Sequence, residues 1–277
     1  MQDVLSRPAP EPDETLRYGA GADQVASVWW PRPGATGATR TTRVVMFLHG
    51  GFWRAAWDRT HAGPLAAGLA EAGFTVCLPE YRRTGGGGGW PATFDDIAAA
   101  VDTLPALLGD SGGVVLAGHS AGGHLSLWAA ARHRLPADTP WRTAGPAPIR
   151  GVVALAAVSD LTACADQGLG GGAATALMGG SPSAEPARYA RADPGRLLPI
   201  GVPVWLLHGD RDDRVPAPMS RSFAARARAA GDEVTARELP DCDHFDLIDP
   251  RSAAWPAVLD AFRAAGQLPG RSSTLAP

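Results

Sequence analysis

The amino-acid sequence predicts one large α/β domain with a mostly parallel central sheet flanked by helices. A chain of 277 residues can form a single core that buries about 75% of its unfolded surface. Short apolar stretches alternate with amphipathic or alanine-rich ones, which is the pattern of strands and helices joined as βα units. One apolar stretch, at 114–117, runs directly into Gly-x-Ser-x-Gly at 118–122, so a strand, a sharp turn and a helix follow one another there.

The apolar and periodic stretches place the individual elements. Strands are expected over residues 24–30, 43–48, 74–78, 114–117, 151–156, 202–207 and 233–239, because these runs are short and mostly apolar or β-branched. Helices are expected over residues 59–72, 121–133, 219–230 and 253–265, with a further helix after Thr93. Thr93 is expected to cap that helix, and Pro105 to kink or break it because proline lacks the backbone N–H.

Several segments lie outside this alternation. Residues 21–268 are assigned to the main domain, while the proline-rich residues 1–20 and residues 269–277 are expected to be a disordered arm and a disordered tail. The stretch at about 157–199 departs from strand–helix alternation and is expected to form a small cap that shapes a pocket. The glycine-rich loop at 85–89 is interpreted as a flexible connector, with a lid as the alternative.

Composition and charge argue against several classes of partner. The net charge is −3 and charged residues make up 19% of the chain, so neither nucleic acid nor a membrane surface is expected as a partner. The apolar run at 152–158 is too short to span a bilayer, and residues 1–14 lack the apolar core of a signal peptide. The three cysteines (Cys77, Cys164 and Cys242) are widely spaced, which fits free thiols and a cytoplasmic protein. A homo-oligomer is compatible with these features.

Ser120 is the candidate nucleophile. Gly118 and Gly122 flank it, and a Cβ at either position would collide with the neighbouring strand or helix in such a tight turn. The turn would lift the serine hydroxyl clear of the sheet. It would also place this hydroxyl at a helix N-terminus, where free backbone N–H groups favour negative charge.

The strand at 43–48 leads into His-Gly-Gly-Phe-Trp at 49–53, which predicts an oxyanion-binding turn. Gly50 and Gly51 allow the backbone to direct N–H groups towards the nucleophile, and the N–H of Ala121 is expected as the other donor. Three nearby side chains are expected to line the substrate pocket, namely Phe52, Trp53 and His124. The sequence does not decide whether Trp57 lines the pocket or packs in the core.

A downstream histidine and a group of aspartates complete a candidate triad. A serine hydroxyl needs a base within hydrogen-bond reach and a third group that orients this base. Of the seven histidines, only His244 lies beyond the aspartates that follow the strand at 202–207, so it is the candidate base. Asp210, Asp212 and Asp213 all follow that strand, and the residues alone favour Asp212 and leave Asp213 as the alternative.

These motifs resemble those of the α/β-hydrolase superfamily, and most of all the branch of kynurenine formamidase (arylformamidase) and related small esterases. The similarity covers about residues 25–265. It rests on His-Gly-Gly-x-Trp at 49–53, Gly-His-Ser-Ala-Gly-Gly-His-Leu at 118–125, His-Gly-x-x-Asp-x-x-Val-Pro at 208–216 and Asp-His-Phe at 243–245. The third motif favours Asp212 over its neighbours. The resemblance implies an α/β-hydrolase fold with a cap insertion, a triad of Ser120, Asp212 and His244, and a reaction without metal or cofactor.

The resemblance also implies a reaction class. The expected reaction is cleavage of a carboxylic ester or an activated amide, such as a formamide, in a small-molecule substrate through an acyl-enzyme. A prolyl-oligopeptidase-type exopeptidase or an acyltransferase would use the same triad and is the alternative. A non-catalytic binding protein with this fold is a further alternative, which an intact triad argues against.

Overall fold

The computed structural model describes residues 3–32, 43–110, 112–145 and 148–267. The strands in these ranges are β1 (Glu14–Arg17), β2 (Val25–Trp29), β3 (Val44–Leu48), β4 (Thr75–Pro79), β5 (Val114–His119), β6 (Ile149–Leu155), β7 (Val204–Gly209) and β8 (Val234–Leu239). They form one 8-stranded sheet in the order β1-β2-β4-β3-β5-β6-β7-β8. β2 pairs antiparallel with β1 and β4, and all other neighbours are parallel. The predicted α/β class with a mostly parallel sheet is therefore confirmed.

Helices cover both faces of the sheet. The α-helices are α1 (Asp3–Ser6), α2 (Gly63–Glu71), α3 (Ala92–Leu107), α4 (Ala121–Ala130), α5 (Leu161–Asp166), α6 (Leu169–Met178), α7 (Pro186–Ala192), α8 (Ala217–Ala229) and α9 (Trp255–Gly266). Short 3-10 helices lie at Arg59–Ala62, Arg132–Arg134, Pro194–Arg196 and Asp246–Ile248. The core on one face contains apolar side chains of α3, α4 and α8, and the core on the other face contains those of α2 and α9. Among the described helices, none has the length and apolar character needed to cross a bilayer.

The central strand β3 shows why an apolar run forms a strand here. Val44, Met46 and Leu48 belong to the core with α3 and α4, whereas Val45 and Phe47 belong to the core with α2 and α9. All of β3 is buried because successive residues of a strand face opposite sides and helices cover both. The apolar pattern placed β2 to β8 to within about two residues at each end.

Residues 3–20 are ordered, which corrects the expectation of a disordered arm over residues 1–20. β1 lies in this stretch and adds an antiparallel edge strand, with Leu16 opposite Ala26. Tyr18 is buried, and its hydroxyl donates to the carbonyl oxygen of Glu80 at 2.5 Å. β1 is mostly exposed, so its sequence carries no apolar pattern that could have predicted it. The tail expected over 269–277 lies outside the described residues.

The helix α3 differs from expectation at both ends. It continues past Pro105 to Leu107, so the chain does not break at the proline, which lies in the last turn. Its N-cap residue is Pro91 and not Thr93. The helix begins two residues earlier than the capping pattern suggested, and the Thr93 hydroxyl donates instead to the carbonyl oxygen of Arg82 at 2.7 Å.

The expected insertion forms three helices, α5, α6 and α7, between β6 and β7. Gly170, Gly171 and Gly172 have positive φ within α6, a conformation that glycine adopts without steric cost. The glycine-rich loop at 85–89 ends against this insertion, where the backbone N–H of Trp90 donates to the carbonyl oxygen of Leu177 at 2.7 Å.

Candidate active site

Ser120 lies at the turn between β5 and α4, with φ 56° and ψ −118°. This left-handed conformation costs a non-glycine residue about 1–3 kcal/mol, which is typical of a functional turn. A Cβ on Gly118 would overlap the carbonyl oxygen of Gly122, and one on Gly122 would overlap that of Leu48. Only glycine fits at either position, as the sequence pattern predicted.

The hydroxyl of Ser120 is buried and has no hydrogen-bond partner in the described part of the chain. The backbone is fixed on both sides, because the Ser120 N–H donates to the Leu155 carbonyl at 2.8 Å and the Ser120 carbonyl accepts from the Val158 N–H at 3.2 Å. The side-chain oxygen therefore projects from a rigid turn and is available to a base or a substrate.

His244 follows β8 and pairs with Asp212, which follows β7. The two are joined by a contact of 2.7 Å between Nδ1 of His244 and Oδ2 of Asp212. A carboxylate only accepts hydrogen bonds, so Nδ1 carries a proton and the neutral ring has its lone pair on Nε2. His119 donates from Nε2 to the carbonyl oxygen of His244 at 2.9 Å and so holds the loop that carries the base.

The side chain of Asp212 is buried, and several hydrogen-bond donors surround its carboxylate. Its Oδ1 accepts from the backbone N–H groups of Arg214 and Val215 at 2.8 Å each, and its Oδ2 lies 3.1 Å from Nε2 of His208 as well as near His244. Burial alone would raise the pKa of Asp212, but the hydrogen bonds from His208, His244 and Val215 outweigh it and hold this pKa well below its usual range. Asp212 is therefore ionised and oriented, as an acid behind a catalytic histidine must be.

His208 contributes to the position of Asp212, which the sequence analysis did not predict. Its Nε2 faces two acceptors, the carbonyl oxygen of Val215 at 2.8 Å and the carboxylate of Asp212, so this nitrogen carries the proton. Nδ1 then accepts from the hydroxyl of Ser220 at 2.8 Å. His208 is a positioning residue for the acid, and the spacing His-Gly-x-x-Asp is the sequence signal that could have indicated it.

A close approach of two backbones joins the loops of the acid and the base. A Cβ on Gly209 would overlap the carbonyl oxygen of Cys242, and the N–H of Arg211 donates to the same oxygen at 3.0 Å. Glycine at the end of β7 therefore lets the loop with Asp212 lie against the loop with His244.

The turn after β3 lies directly over the nucleophile. A Cβ on Gly50 would lie 3.3 Å from the Cβ of Ser120, and Gly51 has φ +106°. The turn is held from behind, because the Tyr81 hydroxyl donates to the carbonyl oxygen of His49 and Nδ1 of His49 lies near the carbonyl oxygen of Gly50, both at 2.8 Å. The backbone of this turn is thus held close to Ser120.

A buried carboxylate, Glu80, lies behind this turn and was not singled out from the sequence. It accepts from His49 Nε2 at 2.9 Å and from the Tyr81 N–H at 2.9 Å, and it pairs with Arg83 at 2.6 Å. Burial alone would raise the pKa of Glu80, but the hydrogen bond and charge of His49, with the Tyr81 amide and Arg83, lower it to about 2. A glutamate directly after β4 carried no recognisable motif.

Ser120, Gly51 and His244 open onto a cavity of about 280 Å³. Its other walls are largely apolar and aromatic, and they are formed by Leu5, Phe52, Trp57, His61, His119, Arg214 and Phe245. Phe52 lines the cavity as predicted, and Trp57 is a wall residue with 42% of its surface exposed. Leu5, His61, Arg214 and Phe245 carried no sequence signal for this position.

Trp53 and His124 do not line the cavity, which corrects the pocket predicted from the sequence. Both are completely buried, with the Trp53 ring edge-on to the His124 ring at 5.2 Å. His124 donates from Nε2 to the carbonyl oxygen of Ala192 at 2.9 Å, and burial lowers its pKa to about 4. The two neighbouring residues Phe52 and Trp53 have φ of 50° and 55°, and only Phe52 lines the cavity.

The helical insertion also does not form a wall of this cavity within the described residues. It touches the turn after β3 instead. A Cβ on Gly170 would lie 2.7 Å from the ring of Phe52, and Arg54 donates to the carbonyl oxygen of Gly170. The insertion therefore supports one wall residue from behind and does not shape the pocket directly.

Comparisons with known proteins agree with this architecture. The profile of the BD-FAE family matches residues 34–226. The probable carboxylic ester hydrolase LipM and the esterase LipQ, both of Mycobacterium tuberculosis, are 29% and 28% identical to this chain over 83% and 84% of its length. The chain spans only 55% and 57% of these two relatives.

Solved structures share the fold at low sequence identity. A truncated carbohydrate esterase from gut microbiota has a TM-score of 0.77 at 18% identity, covering 93% of this chain and 99% of its own. A hormone-sensitive lipase from a metagenome library has a TM-score of 0.70 at 20% identity, covering 96% of this chain and 88% of its own. The α/β-hydrolase fold is confirmed, whereas the finer resemblance to kynurenine formamidase stays a prediction. On the match over 34–226, the chain belongs to the BD-FAE family, an esterase family of the α/β-hydrolases.

Proposed function

We propose that the chain is a serine hydrolase that cleaves carboxylic esters of small molecules through a covalent acyl-enzyme. One observation carries the proposal. His244, held by Asp212 at 2.7 Å, shares a cavity with Ser120, whose hydroxyl has no hydrogen-bond partner among the described residues. The names of the relatives, a carboxylic ester hydrolase and an esterase, support ester cleavage.

In the first half of the proposed reaction, Nε2 of His244 accepts the proton of Ser120 while the serine oxygen bonds to the ester carbonyl carbon. The carbonyl oxygen becomes an oxyanion, which accepts from backbone N–H groups of the turn at Gly50 and Gly51 and from the N–H of Ala121. The bond to the alcohol oxygen then breaks, and His244 gives its proton to that oxygen. The products of this half are the free alcohol and acyl-Ser120.

In the second half, water takes the place of the alcohol. His244 accepts one proton of the water as its oxygen bonds to the acyl carbon, and the same backbone N–H groups hold the second oxyanion. The bond to Ser120 breaks, the serine oxygen regains its proton from His244, and the carboxylic acid leaves. Asp212 stays ionised throughout and keeps the proton on Nδ1 of His244. Substrate, water and these side chains supply every proton and electron pair, so the proposal includes no cofactor.

An aromatic formamide is the second candidate substrate. Phe52, Trp57 and Phe245 give the cavity aromatic walls, against which an aromatic ring beside the scissile bond would pack. The same triad can attack a formyl carbon, in line with the resemblance to kynurenine formamidase. An exopeptidase or acyltransferase activity remains the alternative chemistry for the same side chains.

The first experiment compares kcat/KM for 4-nitrophenyl acetate and for N-formylkynurenine. We expect ester turnover, and a loss of at least about 10³-fold in Ser120→Ala because the nucleophile is removed. Ser183→Ala is the matched control, since Ser183 is an exposed serine of the insertion. A Ser120→Ala protein that keeps most of its activity would contradict the proposal.

The substrate comparison and three further assays separate the alternatives. Faster turnover of N-formylkynurenine than of the ester supports the formamidase assignment. Transfer of the acyl group to an added amine or alcohol in preference to water supports an acyltransferase, and cleavage of peptide amides supports an exopeptidase. Wild-type protein that forms no covalent adduct with a fluorophosphonate probe would support a non-catalytic binding protein.

The remaining expectations belong to the same proposal. The substrate is a small molecule, since a cavity of about 280 Å³ lies at the lower end of ligand-binding pockets. Cys77, Cys164 and Cys242 are buried free thiols, which is consistent with a reducing compartment such as the cytoplasm. Homo-oligomerisation stays a prediction.

A further inference from the structure

We propose that Leu5, carried by residues 3–12, is a specificity-determining wall of the catalytic cavity and limits the length of the substrate. We call residues 3–12 the strap. The proposal rests on the esterase function above and assigns part of substrate selection to a segment that the sequence suggested was disordered. Leu5 lines the same cavity as Ser120 and His244.

The strap is packed onto the domain at its helical end. Val4 is 2% exposed and belongs to the apolar cluster that also contains Ala62 and Leu65. α1 lies against the 3-10 helix that precedes α2. Further along, Ala9 lies so near Gly63 that a Cβ on this glycine would be 2.8 Å from that of Ala9. Leu5 therefore lies between two parts of the strap that contact the domain, Val4 on one side and Ala9 on the other.

An ion pair fixes the strap to the segment that carries the base. Both Nη atoms of Arg7 contact the two carboxylate oxygens of Asp249, at 2.6 Å and 2.9 Å. The side chains are 13% and 17% exposed, so this pair is shielded from solvent more than a surface pair. The hydrogen bond from Arg7 lowers the pKa of Asp249. Asp249 directly follows the 3-10 helix that comes after His244.

Leu5 also stands between two cavities. A second cavity, of about 550 Å³, lies between the strap and the domain, and its lining includes Pro8, Trp29 and Arg59. Leu5 and His61 line both cavities. A smaller side chain at position 5 would connect the catalytic cavity to a space about twice its size. A longer arm of a substrate could then extend beyond the present wall.

The test measures substrate length profiles. One series varies the acyl group of 4-nitrophenyl esters from acetate through butyrate to octanoate, and a second varies the alcohol of acetate esters from ethyl to octyl. In Leu5→Ala, we expect the ratio of kcat/KM for the longest to the shortest substrate to rise at least about tenfold in one series, since methylene groups accommodated in a pocket change selectivity by such factors. Arg7→Gln should move the ratio in the same direction, because it removes the ion pair that holds the strap to Asp249.

Arg221→Gln is the matched control, since it removes the ion pair of Arg221 with Glu238, on the surface formed by α8 and β8, and should leave both profiles unchanged. Circular dichroism and thermal melting establish that each variant is folded. If the length profiles of folded Leu5→Ala stay within about twofold of wild type in both series, the inference is overturned. A wild-type protein inert towards every ester would instead overturn the proposed function, and this inference with it.

Discussion

Replacing Glu80 by glutamine removes a buried charge that supports the turn at Gly50 and Gly51. The carboxylate contacts His49 at 2.9 Å and Arg83 at 2.6 Å, and His49 immediately precedes Gly50. Glutamine has almost the same shape but cannot form the ion pair with Arg83. The substitution therefore tests how much the ionised carboxylate stabilises the fold and the turn.

The magnitude follows from the pKa of Glu80, which is lowered from 4.5 to about 2 in the folded protein. By linkage, the ionised carboxylate contributes about 3 kcal/mol to the free energy of unfolding at pH 7. Because the folded-state pKa is depressed, this contribution is present above about pH 4.5 and is lost as the pH falls towards about 2. About 1 kcal/mol of it should remain at pH 3.

Urea unfolding of wild type and Glu80→Gln at pH 7 and pH 3 measures the two differences. Glu71→Gln is the control, because Glu71 is an exposed carboxylate at the end of α2. We also expect kcat/KM of Glu80→Gln at pH 7 to fall about tenfold or more, since the turn that we propose holds the oxyanion donors loses its support. A destabilisation of equal size at both pH values would refute the electrostatic reasoning, because it would then come from packing alone.

Three further variants test the site. Asp212→Asn should lower kcat/KM by about 10³- to 10⁴-fold with little change in KM, because the amide no longer fixes the proton on Nδ1 of His244; activity within tenfold of wild type would contradict this. Gly209→Ala should lower the free energy of unfolding by about 1–3 kcal/mol in urea titrations, since its Cβ overlaps the backbone at Cys242, and an unchanged unfolding curve would show that the two loops can separate. Trp57→Ala should raise KM for aryl esters about tenfold while the melting temperature changes little, because the ring is half-exposed on the cavity wall; an unchanged KM would exclude it from the binding site.

The sequence predicted those parts of the site that depend on local sterics. At Gly118 and Gly122 a Cβ has no space, so the turn around Ser120 could be inferred from the residues in it. The interior parallel strands could be inferred where both of their faces are buried, as the apolar run of β3 shows. His244 and Asp212 followed from their order after successive strands.

The other parts depend on contacts that no local pattern records. Arg7 and Asp249 are 242 positions apart in the chain, so the strap could not be distinguished from a disordered proline-rich arm. Trp53 lies in the core and not in the pocket wall, within a turn of positive φ angles that side-chain type does not reveal. Glu80 acts only through residues brought to it by folding, and a single glutamate after a strand has no signature.

The contact between the helical insertion and Phe52 links two parts of the chain that do not share the cavity. Gly170 lies on the ring of Phe52, and the insertion forms no wall of the catalytic cavity among the described residues. Exchanging α5 to α7 for another sequence would thus reach a bound substrate indirectly, through the position of the Phe52 ring and of the turn that carries it. The insertion would then adjust one wall of the pocket without contributing a side chain to it.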